Sequence, residues 1–157
     1  MEVVSIFGYK SLEPFLLTKH TPAGHRIFKY FGKYFMAPFL YEFADNLDEQ
    51  VGIVGIDEVP RGGYAHTSLL THYVKHHNIN VSHAKLIAQN SVNYAGKTLQ
   101  YRLEHPRHFK YYGREDMDVI LVDDIVTTGT TLQEARSVLA GIGLNVIFAL
   151  CLADAQY

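Results

Sequence analysis

The stretch VILVDDIVTTGTTLQEA, residues 119–135, sets branched apolar residues directly against two acids, then gathers four threonines around one glycine before a helical pattern begins. A buried strand ending in Asp123 and Asp124 carries two carboxylates to a sheet edge, where an unpaired buried charge is costly. The pair should therefore hold a cation, hydroxyl groups or both. In the turn Thr127-Thr128-Gly129-Thr130-Thr131, Gly129 permits a tight bend with positive φ, and the N–H groups that follow converge on one point. That point suits an anion. The helix beyond reads as a capping box from Thr131 to Glu134, and its unpaired N–H groups and dipole favour a phosphate. A phosphate cradle beside a diol clamp fits a ribose 5-phosphate. Acids before a Thr-Gly turn also occur where carboxylates only cap a helix, but here the whole arrangement is present.

Outward from this stretch, strand-like and helix-like patterns alternate. VGIVGID (51–57) reads as a strand, and HTSLLTHYVKH (66–76) as a helix with Leu69, Leu70, Tyr73 and Val74 on one face. AKLIAQ (84–89) is a short strand, followed by a polar, aromatic and basic connection to about residue 114. Residues 118–122 form an apolar strand, 131–141 a helix with Leu132, Ala135, Val138 and Leu139 inward, and 145–153 a last strand. Strands apolar on both faces that alternate with helices imply an α/β fold with a mainly parallel sheet flanked by helices. In the first fifty residues, VVSIF pairs with another short strand, and FMAPFLYEFADNL (35–47) forms a helix with Pro38 in its first turn. These residues look like a cap over the sheet's carboxyl edge, where open α/β sheets bind ligands.

Bulk properties narrow the function. A chain of 157 residues that is 48% hydrophobic and 19% charged suits one domain. Its formal charge of −2 argues against a globally basic nucleic-acid binder. Cys151 is the single cysteine, so one chain builds neither a disulfide framework nor a cysteine zinc knuckle; in an apolar strand it reads as a small buried hydrophobe. MEVVSIFGYKSLEPF lacks the pattern of a signal peptide, and no apolar run approaches the ~20 residues of a membrane span. The expectation is a cytoplasmic protein with no membrane insertion.

At the quoted residues a resemblance enters: VILVDDIVTTGTTLQEA resembles the 5-phosphoribosyl-1-pyrophosphate (PRPP) motif of type I phosphoribosyltransferases. EVPRGGYAHTSLLTHYV (58–74) and AQNSVNYAGKTLQYRLEHPRHF (88–109) are similar to segments of the competence-associated ComF branch. The resemblance implies a type I phosphoribosyltransferase fold with an N-terminal cap, or hood, over a PRPP site. One domain over 1–157 is expected, with 1–50 the cap plus first helix and 51–157 the PRPP-binding core. It further implies that Asp123 and Asp124 bind the ribose hydroxyls, while Thr127, Thr128, Gly129, Thr130 and Thr131 bind the 5-phosphate. Arg61, Gly62 and Gly63 would take the pyrophosphate. Mg²⁺ would arrive with the substrate and meet Asp123 and Asp124 indirectly, in keeping with its reluctance to shed water. The implied reaction transfers phosphoribose to a nitrogen acceptor with release of pyrophosphate, linked through the ComF branch to DNA uptake in natural transformation. A non-catalytic PRPP sensor or single-stranded-DNA-handling protein is the alternative. Expected partners are PRPP, single-stranded DNA, proteins of the uptake machinery and a second copy in a homodimer. Two departures from the branch stand out: no four-cysteine zinc element is present, and Asp57 and Glu58 open the pyrophosphate loop with charges that would repel pyrophosphate unless magnesium lay between.

Between 91 and 114, Lys97, Arg102, Arg107, Lys110 and Arg114 interleave with Tyr94, Tyr101, Phe109, Tyr111 and Tyr112. This segment fits a lid that brings Lys97 or Arg102 to the leaving pyrophosphate. It also fits a single-strand platform using Tyr101, Arg102, Arg107 and Lys110, or a solvated basic loop. SVNYAGKT (91–98) misses a P-loop at Ser91, and a receiver domain would place its acid pair after the first strand. His72 and His76, one helical turn apart, lack a third metal ligand and read as a solvated helix face.

Overall fold

The computed structural model describes residues 1–57, 65–92, 94 and 96–157. Six strands form one sheet: β1 (Glu2–Gly8), β2 (Val51–Asp57), β3 (Ile79–Ala88), β4 (Phe109–Tyr111), β5 (Val119–Val126) and β6 (Val146–Asp154). They lie in the order β1-β6-β5-β2-β3-β4. Every neighbouring pair is parallel except β3 and β4. The sheet is thus mainly parallel and flanked by helices, the α/β class that the sequence pattern implies.

The central strands read as unbroken apolar runs because both their faces are covered. Ile53, Ile120, Val122, Leu150 and Leu152 point into one core, packed beneath α1 (Tyr9–Leu16), α2 (Pro22–Phe31), α3 (Ala37–Ala44) and α4 (His66–Thr71). Their alternates Val54, Val119, Leu121, Ala149 and Cys151 face a second core that Leu132, Ala135 and Leu139 of α6 (Thr130–Gly141) close, with Val138 packed against it. Cys151 is buried, as its strand position implies.

The structure revises several boundaries. VVSIF does not pair with a short partner: as β1 it joins the main sheet in parallel with β6, Val4 opposite Leu150. The helix expected over 35–47 is the end of a longer one. From Pro22 to Ala44 the chain stays helical, with a π-helical turn at Gly32–Met36 between α2 and α3. Pro38 in the first turn of α3 supplies no N–H, and the Ala37 N–H just before it reaches back to the Gly32 carbonyl, which widens the turn. The cap expected from residues 1–50 contributes this helical layer on one sheet face, and its turn between α1 and α2 brings Lys19 over the carboxyl edge.

The helix expected over 66–76 stops at Thr71, and Tyr73 is exposed, not inward. The run Thr-His-Tyr-Val that follows Leu70 is weak in helix propensity, and the chain must reach the sheet's amino edge, where Asn78 accepts from the Val51 N–H. The strand expected over 84–89 begins earlier, at Ile79. Its polar first half hides the strand pattern, and an irregularity in its pairing with β2 places Ala84 at a φ of 51°. The connection to residue 114 carries α5 (Leu99–Glu104) and β4. Among the described residues no helix is long and apolar enough to cross a membrane.

Candidate active site

Strand β5 runs two residues past its acid pair before the chain turns. Asp123 and Asp124 are half-buried at the carboxyl edge, and Asp123 Oδ1 accepts from the Asp124 N–H at 2.8 Å. Asp124 Oδ2 takes the ammonium of Lys19 at 2.9 Å. Burial, reinforced by the charge of Asp124, pushes the Asp123 carboxyl well above the usual carboxylate range. Burial also pushes Asp124 upward, but Lys19, with smaller help from His66 and the Asp123 hydrogen bond, leaves that carboxyl below its ordinary value. The pair therefore favours one shared negative charge over two.

At Gly129 the chain takes the left-handed conformation, φ 73° and ψ 0°, as the turn requires. Its carbonyl accepts the first helical bond, from the Gln133 N–H at 2.9 Å, so α6 opens directly from the glycine. This corrects the capping box. Thr131 already lies inside the helix and Gly129 is the N-cap. Glu134, freed from capping, accepts from the Arg107 N–H at 3.1 Å and the His108 N–H at 2.7 Å. Thr128 and Thr130 share a hydroxyl hydrogen bond of 2.8 Å across the glycine. Thr127, Thr130 and Thr131 are half-buried, and Thr128 is exposed. The opening N–H groups of a twelve-residue helix and these hydroxyls form a cradle for an anion.

Arg102 comes to this cradle from α5. Its Nη1 donates to Thr127 Oγ1 at 2.5 Å, its Nη2 to the Tyr94 carbonyl at 3.1 Å, and its Nε to the Lys97 carbonyl at 3.3 Å. The guanidinium is thus at the threonine turn, whereas the sequence had offered it to the leaving pyrophosphate. Lys97 is exposed, with its ammonium 5.0 Å from the centre of the Tyr101 ring. Tyr101 stacks on His105 at 4.1 Å, and Lys110 is exposed on β4 beside Tyr112. Arg107 is only 8% exposed and lies 4.6 Å from the Tyr94 ring centre. A single-strand platform would need Arg107 at the surface, and its burial takes it out of that role.

Arg61, Gly62 and Gly63, expected at the pyrophosphate, lie outside the described residues, as does Glu58. Asp57, just before them, is described: it is 3% exposed and accepts from the Thr67 hydroxyl. Burial holds its carboxyl above the ordinary value. His72 and His76 do not share a helix face, since α4 ends before both, and His76 pairs with Asp45 at 3.0 Å. Among the described residues no group of three or more His, Cys, Asp or Glu side chains is placed to hold a metal.

Sequence reasoning missed Lys19, 105 residues from its partner, and Tyr94 as a brace, whose hydroxyl donates to the carbonyls of His105 (2.7 Å) and Arg102 (3.3 Å). It also missed His66, whose ring meets His20 edge-on at 4.8 Å and whose charge acts on Asp124. No local pattern marks any of the three.

Residues 37–156, which include the acid pair and the threonine cradle, match the phosphoribosyl transferase domain. The chain belongs to the phosphoribosyl transferase domain family. No curated protein matches the sequence. Among solved structures, a hypoxanthine phosphoribosyltransferase from Staphylococcus aureus is similar in two crystal forms, at 19% identity and TM-scores of 0.44 and 0.46. The match covers 83% of this chain and 64% of the staphylococcal one, so the chain spans under two thirds of that enzyme's length. The xanthine-guanine-hypoxanthine phosphoribosyltransferase of Helicobacter pylori is similar at 14% identity and a TM-score of 0.43, over 87% of this chain and 86% of that one.

Proposed function

We propose that this protein is a phosphoribosyltransferase that binds PRPP and transfers its phosphoribose to a nitrogen acceptor. The observation that carries the reading is the left-handed Gly129 that opens α6 amid the four threonines just after the acid pair, with the Arg102 guanidinium at Thr127. Thr127, Thr128, Thr130, Thr131 and the helix N–H groups hold the 5-phosphate, and Arg102 adds positive charge there. Asp123 and Asp124 hold the ribose hydroxyls. In the reaction the acceptor nitrogen's lone pair forms a bond to C1 of the ribose, the C1–oxygen bond breaks with its electrons leaving on pyrophosphate, and the nitrogen gives up its proton to solvent. Positive charge that develops at the sugar is stabilised by the carboxylates beside it. Arg61, Gly62 and Gly63 are the proposed pyrophosphate ligands, and Lys97 is a second cation on the same segment as Arg102.

Two adjacent carboxylates, with no third ligand beside them among the described residues, suit a magnesium ion that keeps most of its water and substrate oxygens, not a protein cage. Asp123 and Asp124 are the residues that would meet it, and it would supply charge to the departing pyrophosphate. Residues 1–157 act as one unit in this reading, with the turn before α2 over the site. A role in DNA uptake rests on the resemblance of 58–74 and 88–109 alone.

The test is pyrophosphate release on incubation with PRPP, magnesium and a panel of nitrogenous bases and amines. Release that depends on one acceptor and is lost in Asp123→Asn/Asp124→Asn is the expected result. The same double variant should lose PRPP affinity while it retains affinity for inorganic phosphate. Equal loss of both ligands would refute the division of labour, and no PRPP binding in the parent would refute the function.

A further inference from the structure

The turn between α1 and α2 is fixed more firmly than a surface loop needs to be. Thr18, Lys19 and Thr21 each donate a backbone N–H to a carbonyl three residues back, of Phe15, Leu16 and Thr18. The Thr21 hydroxyl donates to the Thr18 carbonyl at 2.7 Å and accepts the Gly24 N–H at 3.0 Å, which caps α2. Gly24 is buried against this turn, and a Cβ there would drive into the Thr18 carbonyl. Neighbouring His20 meets His66 at the start of α4. All of this sets the Lys19 ammonium against Asp124 Oδ2.

We propose that Lys19 closes the Asp123–Asp124 pair to free divalent cations, so that metal enters only with an anionic substrate that draws the ammonium away from Asp124. This rests on the reading of the acid pair as the ribose and metal side of a PRPP site. Of the pair's carboxylate oxygens, Asp124 Oδ2 is held by the ammonium and Asp123 Oδ1 by a backbone N–H. Side-chain exposure is 25% for Lys19 and 15% for Asp124, so water screens their attraction less than it would a surface pair. A divalent ion approaching alone would meet two engaged oxygens and a repelling ammonium. An ion that arrives on pyrophosphate brings oxygens that offer Lys19 another partner. The device would keep the site from filling with metal before substrate.

The experiment titrates the 157-residue chain with Mn²⁺ in the absence of PRPP, with free Mn²⁺ followed by electron paramagnetic resonance. The parent and Lys19→Arg should show no binding below the millimolar range. Lys19→Met should bind about tenfold more tightly or better, since a unit charge within 4 Å of a half-buried site is worth that much or more. Asp124→Asn in the Lys19→Met background should remove the gain, which places it at the acid pair. Lys19→Gln removes the charge but keeps a donor on a stem one atom shorter, and gives the same reading should methionine disturb the turn. Folded Lys19→Met and Lys19→Gln proteins that bind Mn²⁺ no better than the parent would overturn the proposal, as would tight binding by the parent. Because PRPP is absent, failure of the PRPP reading cannot imitate either result; it shows separately, as no PRPP binding by calorimetry.

Discussion

Two segments meet at Thr127, and they are held there by different forces. The β5–α6 unit arrives on apolar burial: Val119 to Val122, Val126, Leu132, Ala135 and Leu139 are all 9% exposed or less. The segment that brings Arg102 has no buried residue in its helix α5. It is held by polar contacts: the Tyr94 hydroxyl on two carbonyls, Glu134 on two N–H groups, and the Arg107 carbonyl accepting from Gln89 and Asn90. A site built this way has a rigid floor and a wall whose attachment depends on a few hydrogen bonds. Each such bond contributes about 1 kcal/mol, so the wall should open well before the floor.

The largest expected effect breaks the floor without touching the wall. In Gly129→Val no atom lies within 4 Å of the new Cβ, so the harm comes wholly from the φ of 73°. Left-handed backbone costs an ordinary residue about 1–2 kcal/mol, and a β-branched one resists it further, so the turn should rearrange and the cradle scatter. PRPP binding should vanish in calorimetry while circular dichroism stays that of the parent. Unchanged affinity would mean that the cradle is not where the 5-phosphate binds.

Next in size is Tyr94→Ala, which strikes the wall. Tyr94 is 6% exposed, and its ring lies under Arg107 at 4.6 Å and Arg102 at 5.4 Å. Loss of the ring and of two hydrogen bonds should open residues 97–105 by about 2–3 kcal/mol. Hydrogen exchange should rise across α5 and stay unchanged in β5 and α6. Equal exposure in both regions would show that floor and wall unfold together, and the contrast between them would fail.

A smaller cut tests a second joint between the two, beside that of Arg102 on Thr127. In Glu134→Gln one amide oxygen still accepts, but an NH2 donor replaces the other oxygen, so one of the Arg107 and His108 N–H groups, which the two carboxylate oxygens take separately, loses its acceptor, with His108 at a φ of 51°. Loss of one charge-assisted bond should cost about 2 kcal/mol. Faster exchange confined to those two amides is the expected reading.

The same contrast decides what the sequence discloses. Burial leaves a periodic trace, so β2, β6 and α6 fall within a residue or two of their expected bounds, while β5 runs four residues past its expected end at 122, through the acid pair where the apolar pattern breaks. The acid pair and the glycine turn are legible because strand, turn and helix are consecutive. Polar docking leaves no such trace: Glu134 has the same i+3 offset whether it caps its own helix or receives Arg107 and His108 from another segment. Only the tertiary approach of β4 to α6 selects the second outcome. Lys19 meets Asp124 for a similar reason, through a turn whose shape is set by Gly24 packing and not by any motif. The π-helical turn hides because its cause, a proline just inside an expected helix start, looks like an ordinary N-terminus.

The acid pair is the one part of the floor that apolar burial works against, and its pH response is the finest test. Burial, then the charge of Asp124, raises the Asp123 carboxyl in the folded chain, so between the ordinary and the raised value the folded state binds more protons than the unfolded one. Stability contributed by the protonated form is whole below about pH 4 and is lost as pH climbs toward the raised value. Asp123→Asn removes the titration while the amide oxygen still accepts the Asp124 N–H. The variant's melting temperature should therefore fall less than the parent's between about pH 4 and pH 8, and the gap should widen with pH. PRPP binding should weaken in the same variant, the trade expected where a strained polar group is kept for function. If parent and variant melt in parallel across that range, Asp123 is already ionised when folded. The floor would then carry two full charges, with Lys19 and the charge of His66 set against them.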